Sequence, residues 1–274
     1  MTETKLELLR NILVDMESVL IAYSGGIDST LLLKVALESL GPKKVLAVTA
    51  ASETYPSEEW ESAKRLADTI GANHLSIFTE ELKNEDFFQN PPERCYHCKK
   101  ELFGKLYDLA GKNNLAFVAD GANADDLNDF RPGMRAGKEL GVRSPLQEAG
   151  LSKEEIRSLA RGQGLPNWNK PSMPCLSSRF PYGHTITSEK LRQVEEAERY
   201  IRSLGLTECR VRHHGDTARI EVPDSFIEMA ASRPFRQQVT AKLNSLGFNY
   251  ITLDLRGFRS GSMNEVLSKE ELNG

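Results

Sequence analysis

The sequence predicts an α/β fold: a doubly wound parallel sheet followed by a smaller C-terminal α+β domain. Two observations carry this reading. Short apolar runs alternate with amphipathic stretches through the first 120 residues, the pattern of successive β-α-β units. A glycine-rich loop follows directly on the first of those runs, and a doubly wound sheet takes its ligand beyond the carboxyl ends of its strands.

The elements follow in order. Residues 5–17 place Leu6, Leu9, Leu13 and Met16 on one helical stripe. Ser18 to Tyr23 reads as a buried strand, and Asp28 to Leu40 as a helix ended by Gly41-Pro42. Val45 to Thr49 is a second strand. Ser57 to Ile70 is a helix with Ser57 at its N-cap, closed by Gly71. His74 to Phe78 is a third strand. Cys95 and Cys98 fall in a loop leading into a helix over 99–112, and Leu115 to Ala119 is a fourth strand. Connections between parallel strands should be right-handed. Ser152 to Arg161 is a short helix. The segment from Gly162 to Gly183 carries four prolines, too many for a regular element, and Trp168 suits a packing anchor there. Ser188 to Leu204 is an amphipathic helix. Cys209 to Arg212 and Ala218 to Val222 form a hairpin around His214-Gly215-Asp216, residues 225–246 are helical, and Tyr250 to Leu255 is a last strand. The expected division is therefore a first domain over 1–165, a cysteine-bearing linker over 166–187 and a second domain over 188–274.

Composition narrows the class. Of 274 residues, 39% are hydrophobic and 27% charged, enough apolar material for a full core. Glu3, Glu7 and Asp15 interrupt the N-terminal apolar residues, unlike a signal peptide, and no run approaches the roughly 20 apolar residues of a membrane span. A cytoplasmic enzyme is expected. The net charge of −4 argues against nucleic acid as the main substrate. Beyond Cys175 the chain has eleven arginines and three lysines. Arginine's rigid fork matches carboxylate and phosphate, so this bias fits either an anionic-substrate site or solvated helix faces.

The loop Ser24-Gly25-Gly26-Ile27-Asp28-Ser29-Thr30 has a physical logic. Gly25 and Gly26 allow positive φ and close approach, exposing amide N–H groups to an anion. Ser29 and Thr30 open a helix whose N-terminus favours phosphate. A carboxylate beside phosphate is repulsive, so Asp28 caps the helix or helps hold Mg²⁺. The Walker pattern is excluded, since no Gly-Lys-Ser/Thr follows. The motif resembles the PP-loop of the ATP pyrophosphatases, which split ATP between the α and β phosphates and adenylate a substrate. That resemblance implies ATP and Mg²⁺ but leaves the substrate open.

Three readings of Cys95, Cys98 and Cys175 stand side by side. They can hold a structural Zn²⁺ with a histidine, His97 being nearest. Cys95 and Cys98 can be bystanders to a separately reactive Cys175. Or the three suit an iron–sulfur cluster with one open iron. Arg94, Lys99 and Lys100 beside Cys95 and Cys98 would favour thiolates. Cys209, in an alternating strand, reads as core.

The segments Asp120-Gly121-Ala122-Asn123-Ala124-Asp125-Asp126, Asp129-Phe130-Arg131-Pro132-Gly133, Ser144-Pro145-Leu146, Lys170-Pro171-Ser172-Met173-Pro174-Cys175-Leu176-Ser177-Ser178-Arg179-Phe180 and Gly257-Phe258-Arg259-Ser260-Gly261-Ser262 resemble the LarE family. These are ATP-dependent sulfur transferases that serve the nickel-pincer nucleotide cofactor of lactate racemase. The resemblance implies adenylation of a carboxylate on a pyridinium dicarboxylate mononucleotide, followed by sulfur displacing AMP to leave a thiocarboxylate. In one form of the family a single cysteine at the position of Cys175 is the sulfur source and is consumed. In the other, three cysteines bind a [4Fe–4S] cluster. With Cys95 and Cys98 present, this sequence resembles the second form. Arg212 and Arg259 lie in segments that resemble the family's substrate-phosphate positions, and Arg210, Arg256 and Arg179 are substitutes. Glu221, with Asp224 and Glu228, is either a divalent-ion site or a helix-start cluster. His213 and His214 read as turn residues. An external sulfur donor and a homo-oligomer are implied by the family.

Two rival enzymes share the loop. A tRNA-thiolating enzyme would carry a basic face, and an amide-forming ligase would use ammonia and need no cysteine apparatus. A non-catalytic ATP-binding regulator would release no pyrophosphate.

Overall fold

A computed structural model describes residues 2–128, 132–171, 173–259 and 261–268. Asp129, Phe130, Arg131, Ser172 and Ser260, which carry part of the family resemblance, lie outside the described residues. In chain order the elements are α1 (Thr2–Met16), β1 (Val19–Ala22), α2 (Ile27–Leu40), β2 (Val45–Ala51), α3 (Ser57–Thr69), β3 (His74–Phe78), α4 (Glu85–Phe88), α5 (Arg94–Lys112), β4 (Phe117–Ala119), α6 (Pro132–Leu140), α7 (Pro145–Glu148), α8 (Lys153–Gly162), α9 (Ser188–Ser203), β5 (Arg210–His214), β6 (Thr217–Glu221), α10 (Ile227–Ala231), α11 (Arg233–Ser245) and β7 (Tyr250–Leu253). The chain divides into two compact units. One comprises 1–81 and 93–173, the other 82–92 and 174–274.

The first unit is built on a parallel sheet of order β3-β2-β1-β4. Steps from β1 to β2 and from β2 to β3 run one way, and β4 returns to the far side of β1. The strand order therefore reverses between β1 and β4, and helices cover both faces. On one face Leu9, Leu13, Leu31, Leu32, Val35 and Ile156 pack against Val19 and Ile21. On the other, Phe103 and Leu106 of α5 pack against Leu20, Val48 and Val118. Strand residues buried on both faces explain why β1 and β2 read as continuous apolar runs rather than alternating ones.

Two local expectations are corrected. The helix expected over 99–112 begins at Arg94, so Cys95 and Cys98 sit in its first turns rather than in a loop. The last breaker upstream is Pro92, and nothing between it and Lys99 opposes a helix. Ser57 is the first residue of α3 rather than its cap. Pro56 holds the cap position in extended conformation, and its carbonyl accepts from the N–H groups of Glu59 and Trp60. By contrast Ser152 caps α8 with a full capping box to Glu155.

The second unit centres on a three-stranded sheet of order β5-β6-β7. β5 and β6 are antiparallel in the register Arg210↔Glu221 to His214↔Thr217, joined by Gly215 at φ 67° and Asp216. β7 pairs parallel to β6 after the crossover through α10 and α11. The segment 82–92 belongs here through its backbone. Asn90 O accepts from Gly183 N at 2.9 Å, Phe88 O accepts from Ile186 N at 2.9 Å, and Asn90 Nδ2 donates to the carbonyls of Phe180 and Pro181.

Candidate functional site

In the first unit the loop after β1 opens a pocket lined by Ser24, Gly26, Ile27, Asp28, Tyr55, Glu59, Lys153 and Lys170, with Pro171 and Met173 at its wall. Gly25 takes φ 64°, and a side chain there would bring Cβ to 2.7 Å from Ala63 Cβ. Only glycine meets both demands. Gly26 stands at the N-cap of α2 and has no side chain with which to cap it. The first-turn N–H groups are thus left to a ligand.

The loop's carbonyls are engaged instead. Tyr55 OH donates to Ser24 O at 2.6 Å, Asn167 Nδ2 to Gly25 O at 3.2 Å, and Thr30 Oγ1 to Gly26 O at 2.8 Å. Ser24 and Ser29 hydroxyls lie 3.2 Å apart, and Ser29 Oγ reaches Gly26 O at 3.1 Å. Burial pushes the Tyr23 phenol up to about 12, and burial with Glu59 nearby raises that of Tyr55 further. Both therefore act as neutral hydrogen-bonding groups at ordinary pH.

Asp28 is not a helix cap. Its Oδ1 accepts from Asn123 Nδ2 at 3.2 Å, and its Oδ2 is paired with the Lys153 ammonium. Lys170 is paired with Glu59 at 2.7 Å. Asn123 comes from the loop after β4, so the two loops meet where strand order reverses. They meet closely, for a side chain on Gly121 would put Cβ 3.0 Å from Ser29 N. Asp120 fixes its own loop by accepting from Ser144 Oγ at 2.7 Å and Ala122 N at 3.2 Å.

Every predicted loop residue is therefore at this pocket or directly behind it. Tyr55, Lys153 and Asn167 are contacts that sequence reasoning missed, and Lys170 stood in a family segment without a role at this pocket. The first three follow no local motif and arise from tertiary folding. The segment Asp120 to Asn123, which carries part of the family resemblance, follows the strand flanking the reversal and so lies where such a sheet takes its ligand.

Cys95 and Cys98 occupy one face at the start of α5, three residues apart and half-buried. Within either unit, the described residues contain no cluster of three His, Cys, Asp or Glu side chains able to hold a metal ion. All four cysteines are thiols rather than disulfides.

In the second unit Cys175 is half-buried and begins a 3-10 turn, Leu176–Arg179. Its carbonyl accepts from Ser178 N at 3.1 Å, Ser178 Oγ at 2.8 Å and Arg179 NH1 at 3.2 Å. Arg179 is wholly buried and forms two bonds to Glu198, at 2.8 and 2.9 Å. Burial alone would lower the guanidinium's pKa, but the charge and hydrogen bonds of Glu198 outweigh it and raise the value. The same partner holds the Glu198 carboxyl below its ordinary range against burial.

Arg212 is also buried. Its NH1 donates to Ser178 O at 2.6 Å and its NH2 to Glu221 at 2.7 Å and Ser262 Oγ at 3.2 Å, while Nε has no partner among the described residues. Arg259 bonds Glu265 at 3.0 Å and the Gly257 carbonyl at 3.0 Å, and Glu265 also pairs Arg256. Arg210 lies 5.0 Å over the Phe258 ring. Both oxygens of Glu221 are taken by guanidinium groups, Arg212 at 2.7 Å and Arg219 at 2.9 Å. Glu221 is thus the anionic centre of an arginine cluster rather than the start of a carboxylate site. His213 is a core residue, stacked on Phe180 and edge-on to Phe248, and burial pushes its imidazole down to about 4. Cys209 is buried with its thiol pushed up to about 12, as expected of a core residue.

Among the described residues no helix is long and apolar enough to cross a membrane. Residues 5–93 match the NAD synthase family. A pyridinium-3,5-bisthiocarboxylic acid mononucleotide synthase of Lactiplantibacillus plantarum is 46% identical over 269 residues, covering 98% of this chain and 97% of that protein. An uncharacterized protein of Synechocystis sp. is 47% identical over 269 residues, covering 98% of this chain and all of that one. An NH(3)-dependent NAD(+) synthetase of Chlorobium phaeovibrioides is 28% identical over 159 residues, 55% of this chain. The full-length match takes in both the loop after β1 and the Cys175 turn with its arginine cluster. With a PP-loop after β1 and that relation along its whole length, the chain belongs to the LarE family of ATP-dependent sulfur transferases.

Proposed function

We propose that this enzyme adenylates a carboxylate of a pyridinium dicarboxylate mononucleotide and converts it to a thiocarboxylate, releasing AMP and pyrophosphate. The observation that carries the proposal is the full-length relation to the bisthiocarboxylic acid mononucleotide synthase. The pocket chemistry supports it. A carboxylate is a poor electrophile. Its oxygen attacks the α-phosphorus of ATP, pyrophosphate leaves toward the N–H groups of the Ser24–Thr30 loop, and a mixed anhydride results. A sulfur nucleophile then attacks the acyl carbon and AMP departs.

In this reading Ser24, Gly25, Gly26, Asp28, Ser29 and Thr30 bind ATP, with Lys153 and Lys170 placed to offset the triphosphate charge. Asp28 would exchange its bond to Lys153 for Mg²⁺. Arg212 and Arg259 would bind the substrate phosphate. Arg259, held by an exposed Glu265, is the more readily released of the two, whereas Arg212 is buried.

Cys95, Cys98 and Cys175 are the proposed ligands of a [4Fe–4S] cluster, with Cys175 also the residue nearest the sulfur chemistry. The support is the chemistry of the donors: Cys95 and Cys98 share one helical face beside Arg94, Lys99 and Lys100, and Cys175 is a half-buried free thiol. Bound there, such a cluster would supply an open iron able to carry the sulfide that is transferred. A cytoplasmic location, an external sulfur donor and a homo-oligomer complete the proposal.

The test is turnover of the dicarboxylate mononucleotide with ATP, followed by mass spectrometry. Oxygen-for-sulfur exchange in the product with one AMP and one pyrophosphate per exchange supports the reading. Formation of an amide with ammonia, or of thiolated tRNA instead, would replace it.

A further inference from the structure

We infer that Asn167 is the positioning residue of the PP-loop: it turns the loop's peptide planes so that their N–H groups face the pocket, and thereby sets affinity for the pyrophosphate half of ATP. The inference rests on the reading of the loop as the ATP site.

Asn167 lies far along the chain, beyond α8, yet its amide is buried directly behind the loop. Nδ2 uses both hydrogens there, donating to Gly25 O at 3.2 Å and to Thr30 Oγ1 at 3.0 Å. The Thr30 hydroxyl has one proton, and Gly26 O takes it at 2.8 Å. It can therefore only accept from Asn167. The direction of the chain, Asn167 to Thr30 to Gly26, is thus set by the number of available protons rather than by choice of amide orientation. A flipped amide would set Oδ1 against the Gly25 carbonyl, oxygen facing oxygen.

In a trans peptide the carbonyl and the following N–H point opposite ways. Drawing Gly25 O back toward Asn167 turns the Gly26 N–H away from it. Gly26 O is held by Thr30 N at 3.0 Å and by the Thr30 hydroxyl that Asn167 braces, which leaves the Ile27 N–H facing the other way. Gly26 and Ile27 line the pocket, whereas Gly25 and Asn167 do not. The Gly26 N–H has only a long contact, 3.4 Å, to Ser24 Oγ, which is itself a pocket hydroxyl. The arrangement leaves Asn167 Oδ1 buried with no partner among the described residues. Such an orphan acceptor is destabilising, and it occurs where both amide hydrogens are committed to the loop.

Asn167→Asp keeps the shape but replaces the donor with an acceptor, and Asn167→Ser retains a single donor. Binding of inorganic pyrophosphate with Mg²⁺ and of adenosine is measured separately by calorimetry on the full chain, with melting midpoints as the folding check. The expected result is pyrophosphate binding at least about tenfold weaker in both variants, with adenosine binding unchanged. Retained pyrophosphate affinity in both, or parallel loss of pyrophosphate and adenosine, overturns the inference. If Asn167→Asp does not fold, Asn167→Ser decides by the same comparison. Failure of the unaltered protein to bind pyrophosphate at all would overturn the ATP reading itself, and the inference with it.

Discussion

Arg179 and Glu198 form a two-bond ion pair, at 2.8 and 2.9 Å, with both side chains out of reach of solvent. The spare face of the guanidinium donates to the carbonyls of Pro174 and Cys175. The pair is thus the support on which the Cys175 turn rests. Removing one charge strands the other in a low-dielectric interior. Glu198→Gln, nearly the same shape, should cost about 3–5 kcal/mol of stability. Denaturant unfolding measures this directly, and a loss below about 1 kcal/mol would show the pair to be incidental.

Asp28 and Lys153 are paired within the pocket proposed to bind ATP. Lys153→Met removes the cation proposed to face the triphosphate and leaves Asp28 to Asn123 alone. The Michaelis constant for ATP should rise roughly tenfold, with kcat within a few-fold of the original. Initial-rate kinetics across ATP concentrations check this. An unchanged Michaelis constant would place Lys153 outside nucleotide binding.

Gly25→Ala meets two obstacles, the left-handed φ of 64° and the 2.7 Å approach to Ala63. The loop must shift to admit the methyl group. Stability should fall by roughly 1–3 kcal/mol, with ATP turnover reduced at least about tenfold. Thermal unfolding and a pyrophosphate-release assay together would reveal this, and normal values in both would refute it.

His213 titrates at about 4 in the folded chain, below its ordinary value of about 6.5. The unfolded chain then holds the extra proton between these values, so stability rises with pH across that window. The contribution is complete above about 6.5 and is lost progressively as pH falls to about 4, with no further change below. His213→Gln should flatten this segment of the stability–pH curve relative to the parent protein. Identical slopes in the two proteins would mean that other groups account for the dependence.

Cys95 and Cys98 as cluster ligands predict about four irons per chain after anaerobic reconstitution. Cys95→Ala should lose most of them. Colourless, iron-free parent protein would exclude the cluster. Intact-mass measurement after turnover then separates the two sulfur routes, because sacrifice of Cys175 lowers the mass by that of H₂S while a reusable cluster leaves it unchanged.

The first sheet was legible because β1 and β2 are buried on both faces and strands alternate with helices, although the edge strand β3 is largely exposed. The loop from Ser24 to Thr30 was legible because glycines at a strand-to-helix turn have few other uses. Helix ends were less so: Arg94 to Cys98 reads as loop until Pro92 is taken as the last breaker, and Pro56 displaced Ser57 from the cap of α3. The partners Tyr55, Lys153 and Asn167 were invisible, since each reaches the loop only through tertiary folding, and Lys170 was visible only as part of a family segment, with no role at the loop. In the second unit the hairpin was readable from Gly215-Asp216. The parallel return of β7 was not, because β-strand periodicity is silent about direction.

The eleven residues Leu82–Pro92 group with 174–274 although they interrupt the first unit. The polypeptide therefore passes between units three times, after residues 81, 92 and 173, and neither unit is a continuous stretch of gene. A fragment ending at residue 173 would still carry Asn90 but not the carbonyls of Phe180 and Pro181 that it binds. A single cut after residue 173 therefore leaves Leu82–Pro92 on the wrong fragment, and separating the two units cleanly takes three cuts in the chain.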